Sequence, residues 1–260
     1  WAQFLRDAER FPVNYVALHN EGEDLTSWPE DGSHGNIGDG HDYNLLSPPE
    51  QVSDLIRRTR NVLDANGMTE VGVAPGETTS WIRFWLYGYA DQIADDPDVI
   101  DALGIITSHG FSRLIPGTEY FDSRSTGVDT LRSLRPGLPA WVTSTSWSRM
   151  DPQFVFEIFN NIYMAKVNGI IPWAGIQVPN RWVGGDPNPG SAIHVSEDGT
   201  FQVLKGYHYY KQICPVGQPG MGVARIRSND TALPVIAFSA NGTANPDAFV
   251  VISLAEETRT

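Results

Sequence analysis

The stretch Val13-Asn14-Tyr15-Val16-Ala17-Leu18 runs directly into His19-Asn20-Glu21: a short β-prone apolar segment that ends in polar, chemistry-bearing residues. Segments of the same kind recur at Val71 to Ala74, Gly104 to Thr107, Ala140 to Thr143 and Gly169 to Trp173, with helical stretches between them. Strand, helix, strand in repetition predicts a parallel sheet of βα units, because parallel neighbours need a crossover long enough to carry a helix. Either an open doubly wound sheet or part of a (β/α) barrel satisfies the pattern.

The clearest helix opens at Ser47-Pro48-Pro49-Glu50. Ser47 is the expected cap, proline suits the first turn, and Glu50 closes a capping box. Val52, Leu55, Ile56, Val62 and Leu63 follow at helical spacing, and Gly67 predicts the stop. A second helix is predicted from Asp151-Pro152, carrying Phe154, Val155, Ile158, Phe159, Ile162 and Tyr163 until Gly169 stops it, and its apolar load implies packing on a sheet. A shorter one is predicted to open at Asp95 or Asp96 before Pro97, and the chain itself begins inside a helix. Beyond residue 215 the segments Gly222 to Ile226, Leu233 to Ser239 and Ala248 to Leu254 alternate with Asn229-Asp230, Asn241-Gly242 and Asn245-Pro246, which predicts antiparallel strands joined by turns. The change of texture places a domain boundary near Gly217-Gln218-Pro219-Gly220.

The 260 residues, 41% of them hydrophobic, hold one large domain or one domain with a small appendage, and exclude a disordered or collagen-like chain. Eight Trp, nine Tyr and eleven Phe exceed what a minimal core needs. Most are expected in the core, but flat aromatic faces are also what sugar rings stack on. Against 31 acidic residues stand 18 basic ones, a net charge of −13 that disfavours nucleic acid and anionic membranes as partners and suits a neutral or cationic ligand. Cys214 is the single cysteine, so there is no disulfide within the chain and no Cys-based zinc spacing, and the redox compartment stays open. No apolar run is long enough to span a membrane, and the N-terminus lacks the pattern of a signal peptide. Asn229-Asp230-Thr231 and Asn241-Gly242-Thr243 are glycosylation sequons that permit secretion. No Gly-x-Gly-x-x-Gly or Walker-type loop follows a strand, which argues against an open nucleotide-binding fold.

In parallel α/β folds the reactive groups collect just beyond the C-terminal ends of the strands. There the sequence offers Asn20 and Glu21, Glu77, His109, Ser144 with Trp147, and Trp173. Cleaving a glycosidic bond needs a carboxylic acid to protonate the leaving oxygen and, in retaining enzymes, a second carboxylate about 5 to 5.5 Å away to attack the anomeric carbon. Glu21 suits the first role, with Asn20 beside it to hold a sugar hydroxyl and the Trp28 and Tyr43 region to desolvate it. The competing reading makes Glu21 a solvated loop acid alongside Glu23 and Asp24. Residues 32–42, with His34, Asp39, His41 and Asp42, are rich in metal-ligand types, but their spacing matches neither an EF-hand loop nor a His-Glu-x-x-His helix. A polar loop lining a substrate is expected there, with no metal and no cofactor.

Tyr15-Val16-Ala17-Leu18-His19-Asn20-Glu21 resembles the fourth barrel strand of the glycoside hydrolase superclan whose members end that strand in Asn-Glu, glycoside hydrolase family 30 in particular. Ser108-His109-Gly110-Phe111 is similar to the His-Gly-Tyr closing strand six in that family. Leu138-Pro139-Ala140-Trp141-Val142-Thr143 is similar to the lead-in of strand seven, and Pro172-Trp173 to strand eight. The segment from Lys205-Gly206-Tyr207-His208 to Pro219-Gly220-Met221 resembles the passage from that barrel to a side β-sandwich. The matches run in the family's order from residue 5 to residue 255. They imply a (β/α)8 barrel of which strands four to eight are represented, residues 1–217, followed by the start of an antiparallel β-sandwich, residues 218–260.

Two departures accompany the resemblance. Where the family has its nucleophilic Glu after strand seven, Thr143 is followed by Ser144, and a hydroxyl is a far poorer nucleophile and leaving group at an anomeric centre. Three accounts stay open: an introduced Glu-to-Ser exchange, a natural non-retaining or binding-only descendant, and a shifted alignment. Glu77 or Glu119 would serve as a displaced carboxylate, or a water beside Ser144 would allow inversion. The second departure is that strands one to three have no counterpart, and five strands cannot close a barrel, so a fragment of a longer product is expected rather than a portion supplied by another chain.

The resemblance thus implies an O-glycosyl hydrolase of β-linked poly- or oligosaccharide, secreted or periplasmic, with Glu21 as acid/base. Asn20, His109, Trp147 and Trp173 are expected to bind substrate, joined by Trp81 and Trp182 on neighbouring loops. The alternative is a carbohydrate-binding protein that kept the cleft without the chemistry, favoured by Ser144 and by Gly22 where the family has Pro.

Overall fold

The computed structural model describes residues 1–23, 47–112, 124–146, 152–178 and 191–254. Asp24, Trp28, the loop 32–42, Tyr43, Glu119, Trp147, Asp151 and Trp182 lie outside the described residues. The chain falls into two compact units, one within Trp1–Thr145 and Met164–Ile171, the other within Ser146–Tyr163 and Pro172–Thr260.

The first unit holds α1 (Ala2–Asp7), β1 (Tyr15–Val16), α2 (Pro49–Ala65), β2 (Gly72–Val73), α3 (Trp81–Leu86), α4 (Tyr89–Ala94), α5 (Pro97–Ala102), β3 (Ile106–Ser108), α6 (Thr126–Leu134) and β4 (Ala140–Ser146), whose last residue crosses into the second unit. β1 runs parallel to β2 with Tyr15 opposite Gly72 and Val16 opposite Val73. Isolated parallel bridges extend the pairing, Asn20 to Glu77 between the first two strands, then Val73 to Leu103 and Thr78 to Ser108 between the second and third. β3 pairs in parallel with β4, and β5 (Gly169–Trp173) lies beside β4. All five expected strands are therefore present, and their spatial order follows the chain. A doubly wound sheet reverses its order at a switch point, and this winding, which does not reverse, is consistent with part of a (β/α) barrel.

The strands approach closely where side chains are absent. A Cβ on Gly72 would stand 2.7 Å from the Gly104 Cα and 2.8 Å from the Tyr15 ring. On the helix-facing side, Val71, Val73, Leu103, Ile106, Ala140 and Val142 pack with Val52 and Ile56 of α2, Phe84 of α3, Ile93 of α4, and Val128 and Leu131 of α6. Burying a side chain such as Ile56 fully contributes roughly 1.5–3 kcal/mol.

Helix starts hold one correction. Pro48, not Ser47, is the N-cap of α2, with no side-chain cap bond, so the expected capping box does not form. Ser47 works through its backbone instead: its N–H donates to the Gly22 carbonyl at 3.0 Å and its carbonyl accepts from the Tyr89 hydroxyl at 2.6 Å. Val62, counted on the apolar face, is exposed, because the buried stripe runs through Val52, Ile56 and Leu63. At α5 the cap is Asp96, accepting from the Asp98 and Val99 N–H groups.

The second unit holds α7 (Pro152–Tyr163), β6 (Ile176–Gln177), β7 (Ile193–Val195), β8 (Phe201–Val203), α8 (Lys205–Ile213), β9 (Gly222–Ala224), β10 (Val235–Ser239) and β11 (Ala248–Val251). β10 is the middle strand of an antiparallel sheet with β9 and β11, in the region where the turn pattern predicts antiparallel strands. The Tyr163 hydroxyl ties α7 to this sheet, donating to the Ala224 carbonyl at 2.8 Å and accepting from the Ala237 N–H at 3.0 Å. The hairpin of β7 and β8 has no counterpart among the sequence expectations, although Asp198-Gly199, with Gly199 at φ 83°, is a turn signal between two β-prone segments.

Candidate active site

The parallel register brings the polar strand ends of the first unit side by side. Asn20 sits opposite Glu77, and the pairing is sealed by the Glu77 N–H on the His19 carbonyl at 3.0 Å and the Glu21 N–H on the Glu77 carbonyl at 2.6 Å. One strand further, the His109 N–H donates to the Thr78 carbonyl at 2.8 Å. The Ser108 hydroxyl donates to that same carbonyl at 2.9 Å and accepts from the Gly110 N–H at 3.1 Å. The Thr143 hydroxyl, within β4 and one residue before Ser144, donates to the Ser108 carbonyl at 3.3 Å.

Glu21, Glu77 and His109 thus end three consecutive strands. Glu21 Oε1 and His109 Nδ1 share a hydrogen bond of 2.9 Å, with the two side chains 14% and 5% exposed. The reading of Glu21 as a solvated loop acid does not describe a carboxylate so enclosed. Glu21 has φ 46°, the left-handed conformation that turns the chain off the strand end and aims the carboxyl back over the strands. Burial raises the Glu77 carboxyl above the usual carboxylate range, and the nearby His109 partly offsets this. Burial, and then His109, hold the His19 imidazole down to about 4.

Two acid–base residues of this site, His19 and Glu23, had no role in the sequence reading. His19 accepts from the Gly22 N–H through Nδ1 at 3.2 Å. Glu23, which only the competing reading of Glu21 placed in a solvated loop, is 1% exposed, and its Oε1 accepts from the Thr79 N–H at 2.5 Å and the Thr79 hydroxyl at 2.7 Å, with Arg83 Nη1 at 3.7 Å. Burial raises the Glu23 carboxyl, the Thr79 hydrogen bonds oppose this, and Glu21 adds to it. The cluster Glu21-Gly22-Glu23 reads as a loop in sequence, and its one signal was that Glu23 stands two residues beyond the strand-end acid.

Other expected residues lie elsewhere. Trp81 is the first residue of α3, 1% exposed and edge-on to Phe84 with ring centres 6.5 Å apart. A ring so enclosed is core and presents no face to a sugar. Trp173 ends β5 in the second unit with 39% exposure. Trp147 and Trp182 lie outside the described residues. Ser144 is half-buried on β4, and the alternation of a strand assigns it to the face of the buried Val142 rather than that of Thr143 and Thr145. Among the described residues no group of three His, Cys, Asp or Glu side chains is placed to hold a metal ion.

The fold has solved counterparts. The chain is similar to the catalytic domain of GH30 xylanase C from Talaromyces cellulolyticus, with 16% identity and a TM-score of 0.62 over 91% of this chain and 49% of that one. It is similar to a GH30 endoxylanase from Clostridium papyrosolvens C71, with 15% identity and a TM-score of 0.52 over 81% and 49%. A conserved exported protein from Bacteroides fragilis matches with 13% identity and a TM-score of 0.59 over 98% and 59%. The chain has a glycoside-hydrolase-like fold. It spans about half the length of the two GH30 structures. No family model matches the chain, and no curated protein matches it in sequence. No described helix is long and apolar enough to cross a membrane.

Proposed function

We propose that the chain is the strand-four-to-eight portion, residues 1–217, of a glycoside hydrolase barrel acting on β-linked poly- or oligosaccharide, continued by the start of a side β-sandwich at 218–260. Glu21 is its acid/base. The observation that carries this reading is the Glu21–His109 pair: an enclosed carboxyl at a strand end, hydrogen-bonded at 2.9 Å to the imidazole ending another strand, on a fold shared with GH30 catalytic domains. Asn20 holds a substrate hydroxyl, and Trp173, Trp147 and Trp182 supply stacking faces. Ser144 stands at the sequence position of the family's nucleophile, although strand alternation puts it on the face of Val142, and Glu77 is the carboxylate next in line if the nucleophile is displaced. The exported Bacteroides fragilis neighbour supports a secreted or periplasmic setting.

In a retaining cycle a carboxylate at position 144 would attack the anomeric carbon as the glycosidic C–O bond breaks and Glu21 delivers its proton to the leaving oxygen. Glu21 would then deprotonate the water that releases the sugar. With a hydroxyl at 144 the first step lacks a competent nucleophile. The decisive experiment compares the chain with its Ser144→Glu variant, in the longest form the source gene provides, on aryl β-glycosides and β-linked oligosaccharides. Turnover confined to Ser144→Glu supports the reading; turnover already present with Ser144 moves the nucleophile to Glu77 or to an inverting water.

The second reading, a carbohydrate-binding protein without chemistry, is favoured by the hydroxyl at 144 and by Gly22 after Asn-Glu. Oligosaccharide binding with no turnover in either form establishes it.

A further inference from the structure

Glu23 is a buried acid at the candidate site to which the proposed chemistry assigns no task. Its surroundings give it one. The segment Glu77-Thr78-Thr79 grips the turn 21–23 at both ends: the Glu77 carbonyl holds the Glu21 N–H at 2.6 Å, and Thr79 holds Glu23 Oε1 through its N–H at 2.5 Å and its hydroxyl at 2.7 Å. Only Gly22 lies between the two grips, itself held by His19 Nδ1 at 3.2 Å and by the Ser47 N–H at 3.0 Å. The Glu23 carboxyl, 1% exposed, keeps its hydrogen bonds only while the turn stays where it is, because releasing them leaves a buried polar group without donors. The same turn carries the left-handed backbone of Glu21, which sets the direction of the Glu21 carboxyl.

From this geometry we infer that Glu23 is a positioning residue: by clamping the turn to Thr79 it holds the Glu21 carboxyl on His109. The inference rests on the reading of Glu21 as the acid/base for its catalytic meaning. Its physical content is tested without substrate.

The test reads the His109 Nδ1 hydrogen bond by NMR at one fixed pH in the isotopically labelled 260-residue chain, with the ring Nδ1–H resonance assigned by His109→Gln. The acceptor that Nδ1 meets is Glu21 Oε1, and the Phe111 ring stands edge-on to the imidazole. Glu21→Gln removes that carboxylate and is expected to shift the resonance upfield or lose it to exchange with water. Glu23→Asp keeps the acid but is one methylene too short to reach Thr79 from the same turn. It is expected to reproduce at least half of that change, and Thr79→Val, which removes the hydroxyl donor alone, a smaller change in the same direction. In a Glu21→Gln background Glu23→Asp is expected to move nothing further, since the effect passes through Glu21.

An unchanged resonance in both Glu23→Asp and Thr79→Val overturns the inference. So does a change that persists without Glu21, because Glu23 then acts on His109 directly, and so does a resonance indifferent to Glu21→Gln. Should Glu23→Asp lose its dispersed amide spectrum, Thr79→Val decides alone. Absence of turnover in Ser144→Glu with the ring signature intact would sink the glycosidase reading and leave the clamp standing.

Discussion

The Glu21 carboxyl and the His109 imidazole meet at 2.9 Å across 88 residues of sequence. Two strand crossovers separate them, and the contact exists because β1, β2 and β3 stand in chain order with their C-terminal ends level, Asn20 opposite Glu77 and Thr78 opposite Ser108. The pair supplies a carboxyl whose orientation is set before any ligand arrives, which is what proton delivery to a departing oxygen requires.

Replacing that carboxyl tests its role directly. In the Ser144→Glu protein, Glu21→Gln is expected to lower kcat on oligosaccharides by roughly 10²–10⁴, the usual worth of a positioned general acid or base, while oligosaccharide affinity stays within about threefold. Cleavage of dinitrophenyl glycosides, whose leaving group needs no proton, should fall far less. Undiminished oligosaccharide turnover, read by steady-state kinetics, removes Glu21 from the mechanism.

Glu77 has a stability signature. Its folded-state affinity for a proton is raised by burial, so the ionised side chain weighs against the fold and its favourable contribution is confined to low pH, disappearing as pH rises through the folded pKa. Glu77→Gln is therefore expected to raise Tm at pH 7 and to leave it unchanged at pH 3.5. A lower Tm at pH 7, measured by calorimetry, would show the carboxylate to be held by charge rather than merely buried.

The His19 ring carries the opposite dependence. Held down to about 4 in the folded chain against 6.5 for a free imidazole, it stays neutral while the unfolded chain takes up a proton, so stability falls as pH drops from 6.5 to 4. The loss reaches about 3.5 kcal/mol at most, at about 1.4 kcal/mol per pKa unit. Chemical denaturation of His19→Gln should show a flatter dependence over that interval, and parallel curves would contradict this.

Gly76 is predicted to tolerate no side chain. It has φ 107°, and a Cβ there would stand 2.2 Å from His19 Nε2 and 2.3 Å from Cδ2 of the same ring. Gly67, at φ 65° past the end of α2, has nothing within 4 Å. Gly67→Ala should cost about 1–2 kcal/mol, the left-handed backbone term alone, whereas Gly76→Ala should cost upwards of about 3 kcal/mol and displace His19. Equal losses in the two variants would show that the ring moves aside freely.

The strand positions, the cap at Asp96, the stop near Gly67 and the polar residues at the strand ends were all legible in the linear chain, because each follows from local propensity and period. The start of α2 was not, since Ser47 spends its backbone groups on Gly22 and Tyr89, partners 25 and 42 residues away. Trp81 was misjudged and Glu23 passed over for one reason: burial is decided by what packs on a residue from elsewhere, so an aromatic beside a strand end became core and a loop acid became an anchor.

The sequence by itself determined the alternation of strands and helices, the Asn20-Glu21 strand end and the hydroxyl at position 144. Whether the strands wind in sequence or reverse, and which strand-end groups touch, was decided only in three dimensions. Period and propensity act within a few residues, whereas strand order and the Glu21–His109 and Glu23–Thr79 contacts depend on register between segments that the chain brings together from far apart.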